Sequence, residues 1–242
     1  MPAARPAHTD ASVRAAVSRR ARIDAVLFDW GDTLFHPPDA ARVILDVARE
    51  RGIAISEREA HALWDELWRA GKTPEEVQSG RDLSPEQHRA SWTKLFARAD
   101  ARVPGLSPRL YETMDPYRWT PYEDTRPTLE ALRRMRIPVG IVSNHAYDLR
   151  DVFAARGLDG LVDVYVLSFE KGVAKPSPRI FEIAARDIGV PPERTLMVGD
   201  HPEADGDAAA AAGLQTYILP AWSGSGPRGL ARVIEMVDES RR

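Results

Sequence analysis

Five short apolar runs punctuate this chain, at Ile23–Phe28, Pro138–Ser143, Val162–Ser168, Thr195–Val198 and Thr216–Leu219. They are rich in Val, Ile and Leu and bounded by Gly, Pro or Asn, the pattern of strands buried on both faces of a parallel sheet. Helical patterns fill the gaps at Thr128–Arg136, Ala146–Arg156, Pro178–Ile188, Ala204–Ala212 and Gly229–Glu239. Pro127 ahead of the first and Gly213 behind the fourth are start and stop signals. Strand–helix alternation of this kind predicts a doubly wound α/β core.

Between the first and second runs lie about 100 residues without a strand signal. Val43, Ile44, Val47 and Ala48 mark one helix there. Ser56-Glu57-Arg58-Glu59 reads as a capping box opening a second, with Leu63, Trp64, Leu67 and Trp68 on one stripe. Ser84-Pro85-Glu86-Gln87 opens a third that carries Trp92, Leu95 and Phe96. Open α/β sheets bind ligands at the carboxyl edge of their strands, so this insert is expected to form a helical cap over that edge, with a rigid helical insert as the alternative. The predicted organisation is an N-terminal extension over 1–21, a core over 22–37 and 121–242, and a cap over 38–120, hinged near His36–Pro38 and Trp119–Asp124. Trp64, Trp68 and Trp92 are expected first as core of the cap and second as substrate contacts.

Several function classes are set aside by composition. A formal net charge of -3 gives no reason to expect nucleic acid or an anionic membrane as partner. No apolar run approaches the roughly 18 residues of a membrane span. The absence of cysteine excludes thiol catalysis, disulfides and Cys-zinc sites. Met1–Arg20 is rich in Ala, Arg and Pro and lacks the apolar region of a signal peptide. It reads as a loose extension or a short helix from Thr9, with a cleaved organelle-targeting peptide as the alternative. The expectation is a cytoplasmic monomer or homodimer acting on a small molecule.

Polar residues follow successive strands. Asp29 and Thr33 come after the first, Ser143 and Asn144 after the second, Lys175 after the third, and Asp200 after the fourth, with Asp205 beyond it. All converge at one edge of the predicted sheet. A carboxylate can attack phosphorus when substrate charge is neutralised and a metal holds both partners. Asp29 and Asp200, with Asp205 as a further candidate, offer the hard oxygens that magnesium takes. Ser143 and backbone N–H groups can bind a phosphate oxygen, and Lys175 can pin the nucleophile as a point charge.

Together these segments resemble the haloacid dehalogenase-like (HAD) hydrolase superfamily, in the branch with a helical cap inserted after the first strand. The motifs stand here as Phe28-Asp29-Trp30-Gly31-Asp32-Thr33-Leu34, Ile141-Val142-Ser143-Asn144, Lys175-Pro176-Ser177-Pro178-Arg179-Ile180-Phe181 and Val198-Gly199-Asp200, with Asp205 five residues on. The resemblance implies a Rossmann-like core and a magnesium-dependent phosphatase of a small phosphorylated metabolite. It implies Asp29 as a nucleophile that becomes an aspartyl-phosphate, and Ser143 and Lys175 at the phosphate. It further implies Asp29, Asp200 and the Gly31 carbonyl as magnesium ligands with Asp205 at the same centre, and Thr33 bracing the loop. Asn144 and Trp30 are candidate substrate contacts.

One position departs from the pattern. Phosphatases of this superfamily carry an Asp two places after the nucleophile to protonate the leaving oxygen, and here that place is Gly31. A positioned acid is worth roughly 10² to 10⁴ in rate. Asp32, His36 and His145 are the candidate replacements, and a leaving-group-limited phosphatase is the next reading. A catalytically weak phospholigand-binding protein is an alternative of a different class. Dehalogenase relatives work without a metal, which an acidic cluster disfavours. Phosphonoacetaldehyde hydrolase relatives share Trp after the nucleophile and need a cap lysine. Lys72, 43 residues after Asp29, is the candidate, although a solvated surface lysine is the first expectation for it.

Overall fold

In the computed structural model, residues 21–222 and 224–242 are described, so the expected short helix from Thr9 lies outside the described residues. Seven strands run in chain order: β1 Ala25–Phe28, β2 Phe35–His36, β3 Thr120–Pro121, β4 Val139–Ser143, β5 Val164–Leu167, β6 Thr195–Gly199 and β7 Gln215–Ile218. Five form one sheet in the order β5-β4-β1-β6-β7, and every pairing in it is parallel. The predicted α/β architecture is therefore the observed one. The cause is visible in β1, β4 and β6, which are buried at every position because helices cover both faces of the sheet.

Register sets where the chemistry falls. Phe28 pairs with Ile141 on one side and Val198 on the other, so Asp29, Ser143 and Asp200 emerge at neighbouring strand ends. On one face Phe153 packs between Phe35 and Tyr165, with ring centroids at 5.2 and 5.5 Å. On the other, Leu27, Val142 and Met197 pack against Ile180, Phe181 and Ala184 of the Pro178–Ile188 helix.

Between β2 and β3 the chain is helical throughout. Its main helices are Ala40–Glu50, Glu57–Gly71 and Pro85–Phe96, with short turns at Pro74–Val77, Arg81–Leu83 and Leu106–Tyr111. The expected capping box forms, with Glu59 N–H donating to Ser56 Oγ and Ser56 N–H donating to the Glu59 carboxylate. This insert has its own apolar cluster built on Ile44, Leu67, Leu95, Phe96, Leu106 and Leu110. Trp92 is buried in it, whereas Trp64 and Trp68 pack only partly against it.

Three local features differ from the sequence expectation. β2 and β3 form a small antiparallel ladder where the chain leaves and re-enters the core; two-residue strands are too short to carry a periodicity signal. The helix expected from Ala146 begins at Arg150, because His145–Tyr147 fold into a turn in which Tyr147 N–H donates to His145 Nδ1. The helix expected over Ala204–Ala212 is a π-helical turn at Pro202–Asp207 followed by Ala208–Ala211. That wide turn accompanies Asp205, whose side chain reaches back to the site instead of outward.

A tie from the C-terminal segment holds the loop after β1. The Asp124 carboxylate accepts from the backbone N–H groups of Arg228, Gly229 and Leu230, at 2.9, 2.8 and 2.8 Å. Arg228 in turn donates from Nε to the carbonyl of Asp32 at 2.7 Å. Asp124→Ala removes three charge-assisted hydrogen bonds and is expected to cost about 3 kcal/mol of stability. Urea unfolding of the parent and variant checks this.

Candidate active site

At the carboxyl edge, the Lys175 ammonium lies 2.6 Å from Asp29 Oδ1 and 2.6 Å from Asp205 Oδ1, and all three side chains are buried. Asn144 sets the lysine's backbone. Its Oδ1 accepts from Lys175 N–H and its Nδ2 donates to the Lys175 carbonyl, both at 2.7 Å. The amide expected to contact substrate is thus engaged in positioning Lys175. Asp205 Oδ2 accepts from His201 N–H at 3.0 Å, so both its oxygens are used. Gly199 makes room for this: a Cβ there would stand 2.3 Å from Asp205 Cγ. The glycine is required by close approach, since its φ is not in the left-handed region.

Carboxylate oxygens of Asp29, Asp200 and Asp205 lie within 4.8 Å of one another. Three hard-oxygen donors at that spacing fit a magnesium-type cation. Burial pushes the Asp29 carboxyl up to about 7, with the charges of Asp205 and Asp200 adding to the effect and Lys175 opposing it. Burial disfavours the Lys175 ammonium, but Asp205 and Asp29 outweigh that and hold it above the ordinary lysine value.

Thr33 is fully buried, and its hydroxyl makes no hydrogen bond among the described residues. The loop is braced by its backbone instead: Leu34 N–H and Phe35 N–H both donate to the Trp30 carbonyl, and Asp32 N–H donates to the Phe35 carbonyl. Trp30 is buried, with an indole N–H that has no partner among the described residues, and its ring lies 4.6 Å from that of Trp119 at a 32° tilt. A Cβ at Gly31 would stand 3.2 Å from the Trp119 ring. Trp119 therefore fills the space that a side chain at position 31 would need.

Of the candidate replacement acids, His36 is directed away, between Tyr122 and Trp222. Asp32 and His145 line the cavity above Asp29. Asp32 is engaged by Lys72, whose ammonium lies 2.8 Å from Asp32 Oδ2 and 2.9 Å from Asp200 Oδ2. The expectation of a solvated surface lysine is corrected: the Glu57–Gly71 helix ends at the sheet edge and delivers Lys72 into the site. Burial works against its charge, but Asp32 and Asp200 outweigh it and hold Lys72 above the ordinary value. A Schiff-base nucleophile must be a free amine, and this pair of carboxylates keeps Lys72 charged.

The cavity encloses about 150 Å³ between the sheet edge and the insert. Trp30, Trp68, Trp92, Trp119 and Met114 supply its apolar wall, while Ser143, Arg81, Asp82 and His88 add polar groups. Sequence reasoning missed Arg81, Asp82, His88 and Trp119 as site residues. Arg81 and Asp82 sit in a 3₁₀ turn with no periodicity to mark it, and His88 faces inward from a helix read only by its apolar stripe.

Comparisons with known proteins come to the same place. A family model described as haloacid dehalogenase-like hydrolase matches residues 23–213. A glyceraldehyde 3-phosphate phosphatase of Methanopyrus kandleri is 31% identical over 199 residues, covering 80% of this chain and 82% of that protein. A phosphoserine phosphatase of Thermus thermophilus is 28% identical, covering 78% and 86%. Among solved structures, an L-2-haloacid dehalogenase matches with a TM-score of 0.65 at 19% identity, covering 90% of this chain and 100% of that one. A magnesium-bound HAD hydrolase of Bacillus subtilis matches with a TM-score of 0.62 at 18% identity, covering 90% and 99%. At those identities the structures share the fold. Among the described residues no helix is long and apolar enough to cross a membrane.

Burial lowers the His88 imidazole to about 3, with His145, Arg81 and Arg89 acting in the same direction. The folded state therefore keeps His88 neutral, while the unfolded chain takes up a proton below the ordinary value of 6.5. Its contribution to stability is complete above that value and is lost as pH falls toward about 3. Between pH 7 and pH 5 the loss should be about 2 kcal/mol. Urea unfolding of the parent and His88→Gln at both pH values should show the gap between them shifting by that amount in the variant's favour at pH 5.

Proposed function

The chain belongs to the haloacid dehalogenase-like hydrolases, and we propose that it is a magnesium-dependent phosphatase of small phosphorylated metabolites that works through a phosphoryl group carried on Asp29. The observation that carries this reading is the Lys175 ammonium shared by Asp29 and Asp205, with Asp200 completing the acidic cluster. Relatives named as phosphatases of glyceraldehyde 3-phosphate and phosphoserine support the choice of phosphate esters over halides. So does the cluster itself, whose three carboxylates would repel one another without a cation.

In this mechanism the Asp29 carboxylate attacks phosphorus, and the bond from phosphorus to the ester oxygen breaks. The electron pair leaves with that oxygen, which then takes a proton. Water attacks the aspartyl-phosphate in the second step, releasing inorganic phosphate and restoring Asp29. Lys175 orients Asp29 and offsets its charge, Asn144 fixes Lys175, and Ser143 is placed to donate to a phosphate oxygen. Asp29, Asp200 and the Gly31 carbonyl, with Asp205 alongside, would hold magnesium, which would supply positive charge against the phosphate oxygens. With Gly31 in place of an acid and Trp119 against it, alkyl leaving groups must find their proton elsewhere in the cavity.

That gap also favours a second reading, a catalytically weak protein that binds phosphorylated ligands. Phosphate release from an aryl and an alkyl phosphate, with and without magnesium, separates the two. The phosphatase reading expects magnesium-dependent aryl turnover that falls by at least about a thousandfold in Asp29→Asn. Alkyl turnover should trail by about 10² to 10⁴ unless another group supplies the proton. Turnover that survives Asp29→Asn would refute the mechanism, and magnesium-dependent binding of phosphate esters without turnover would favour the second reading.

A further inference from the structure

The insert contributes a buried pair of opposite charges, Arg81 and Asp82, to the cavity, where they sit beside the indole rings and apart from the carboxylate cluster. As a structural ion pair it is poorly made. Arg81 Nε stands 3.3 Å from Asp82 Oδ2, at the long end for a charged hydrogen bond. The guanidinium is nevertheless held firmly: Nη1 donates to the Gly71 carbonyl at 2.6 Å, and the plane lies 4.5 Å from the centre of the Trp92 ring. Of five N–H donors, two are used among the described residues, and the rest of the fork is free. Asp82 Oδ1 likewise accepts no hydrogen bond among the described residues.

The turn that carries them is fixed to the core. Ser168 Oγ donates to the Asp82 carbonyl at 2.6 Å and also accepts from His145 N–H at 3.0 Å. Arg81 and Asp82 are therefore held at a set position relative to the strand ends that carry Asp29 and Ser143. Burying two charges costs several kcal/mol per ion unless good geometry or further partners compensate. The pair has the geometry of groups awaiting a partner: a cation with an open fork beside an anion with a free oxygen.

We propose, resting on the phosphatase reading, that Arg81 and Asp82 form the leaving-group subsite, and that the substrate is a short-chain phosphate monoester bearing a carboxylate and a neighbouring hydrogen-bond donor. The carboxylate is taken by the Arg81 fork, which matches it in a two-point contact. The donor, a hydroxyl or an ammonium, faces Asp82. A cavity of about 150 Å³ holds a phosphoryl group and a few further heavy atoms. It is below the roughly 300–1,000 Å³ of sites for drug-sized ligands, which favours a small leaving group. Arg81 and Asp82 are specificity residues in this account, since neither is needed to form or break the bond to phosphorus.

The test compares esters that differ by one group. The parent is assayed with O-phosphoserine and 2-phosphoglycerate as carboxylate-bearing probes, and with phosphoethanolamine and glycerol 2-phosphate as their carboxylate-free counterparts. Binding of all four to Asp29→Asn with magnesium is measured by calorimetry, so that recognition is read without turnover. A preference of about ten- to a hundredfold for the carboxylate-bearing member is expected in both measurements. In Arg81→Met and Arg81→Lys that ratio should collapse toward one, chiefly through KM, whereas a merely structural role would lower both members and leave the ratio intact. Asp82→Asn should penalise the ammonium-bearing probe more than the hydroxyl-bearing one if the donor is an amine, and the two equally if it is a hydroxyl. Absence of any carboxylate preference in the parent, or a ratio unchanged in the Arg81 variants, overturns the subsite even if aryl phosphates are hydrolysed. A ratio present in binding but with no turnover of any phosphate ester would instead sink the phosphatase reading and leave the subsite standing.

Discussion

The Lys175 ammonium, buried between Asp29 and Asp205, is the interaction around which this site is organised. Three carboxylates within 4.8 Å of one another cannot all stay ionised in a buried place without positive charge among them. Lys175 supplies part of that charge from the core and Lys72 supplies more from the insert. Even so, burial raises the Asp29 carboxyl to about 7, with the charges of Asp205 and Asp200 adding to the effect, and a bound cation would oppose it. The rest of the core serves that arrangement. Parallel pairing puts the three strand ends side by side, Asn144 clamps the lysine's backbone, and Gly199 lets Asp205 approach.

Above the carboxylates the chemistry changes character. Indole rings of Trp30, Trp68, Trp92 and Trp119 wall the cavity, with Trp68 and Trp92 stacked at 5.6 Å and Trp30 and Trp119 tilted against each other at 4.6 Å. An apolar wall lowers the local dielectric and strengthens each charged contact that remains inside it. Trp119 also packs against Gly31: a Cβ there would press 3.2 Å from its ring, so a side chain at position 31 would have to push the ring aside. Two insert residues cross to the core chemistry. Lys72 bonds Asp32 and Asp200, and Asp82 is fixed through its carbonyl to Ser168 just past β5, so the insert is tied to the core at two points.

Much of the core was legible in the sequence because its signals are local and repeated. Apolar runs closed by turn residues located the parallel strands, and polar residues just past them marked Asp29, Ser143, Lys175 and Asp200 as neighbours. Capping at Ser56 and Ser84 was readable for the same reason. The insert's share of the site was not, since it depends on how helices dock. Lys72 lies at a helix C-terminus, where a lysine is expected simply for favourable interaction with the dipole, and only the tertiary fold shows that this end meets Asp200. Arg81 and Asp82 occupy a single turn of 3₁₀ helix, too short for any pattern. The Asn144 side chain could be placed at the site from sequence, but its use as a clamp on Lys175 is a geometric fact.

In the proposed mechanism Asp29, poised by Lys175, accepts the phosphoryl group. Acid quench of the enzyme during magnesium-dependent turnover of an aryl phosphate, followed by peptide mass analysis, tests it most directly. The account predicts a phosphoryl group on the peptide containing Asp29, lost on hydroxylamine treatment as an acyl phosphate must be, and absent without the metal. A phosphoryl group on His88 or His145, or steady turnover with Asp29 never modified, would contradict it.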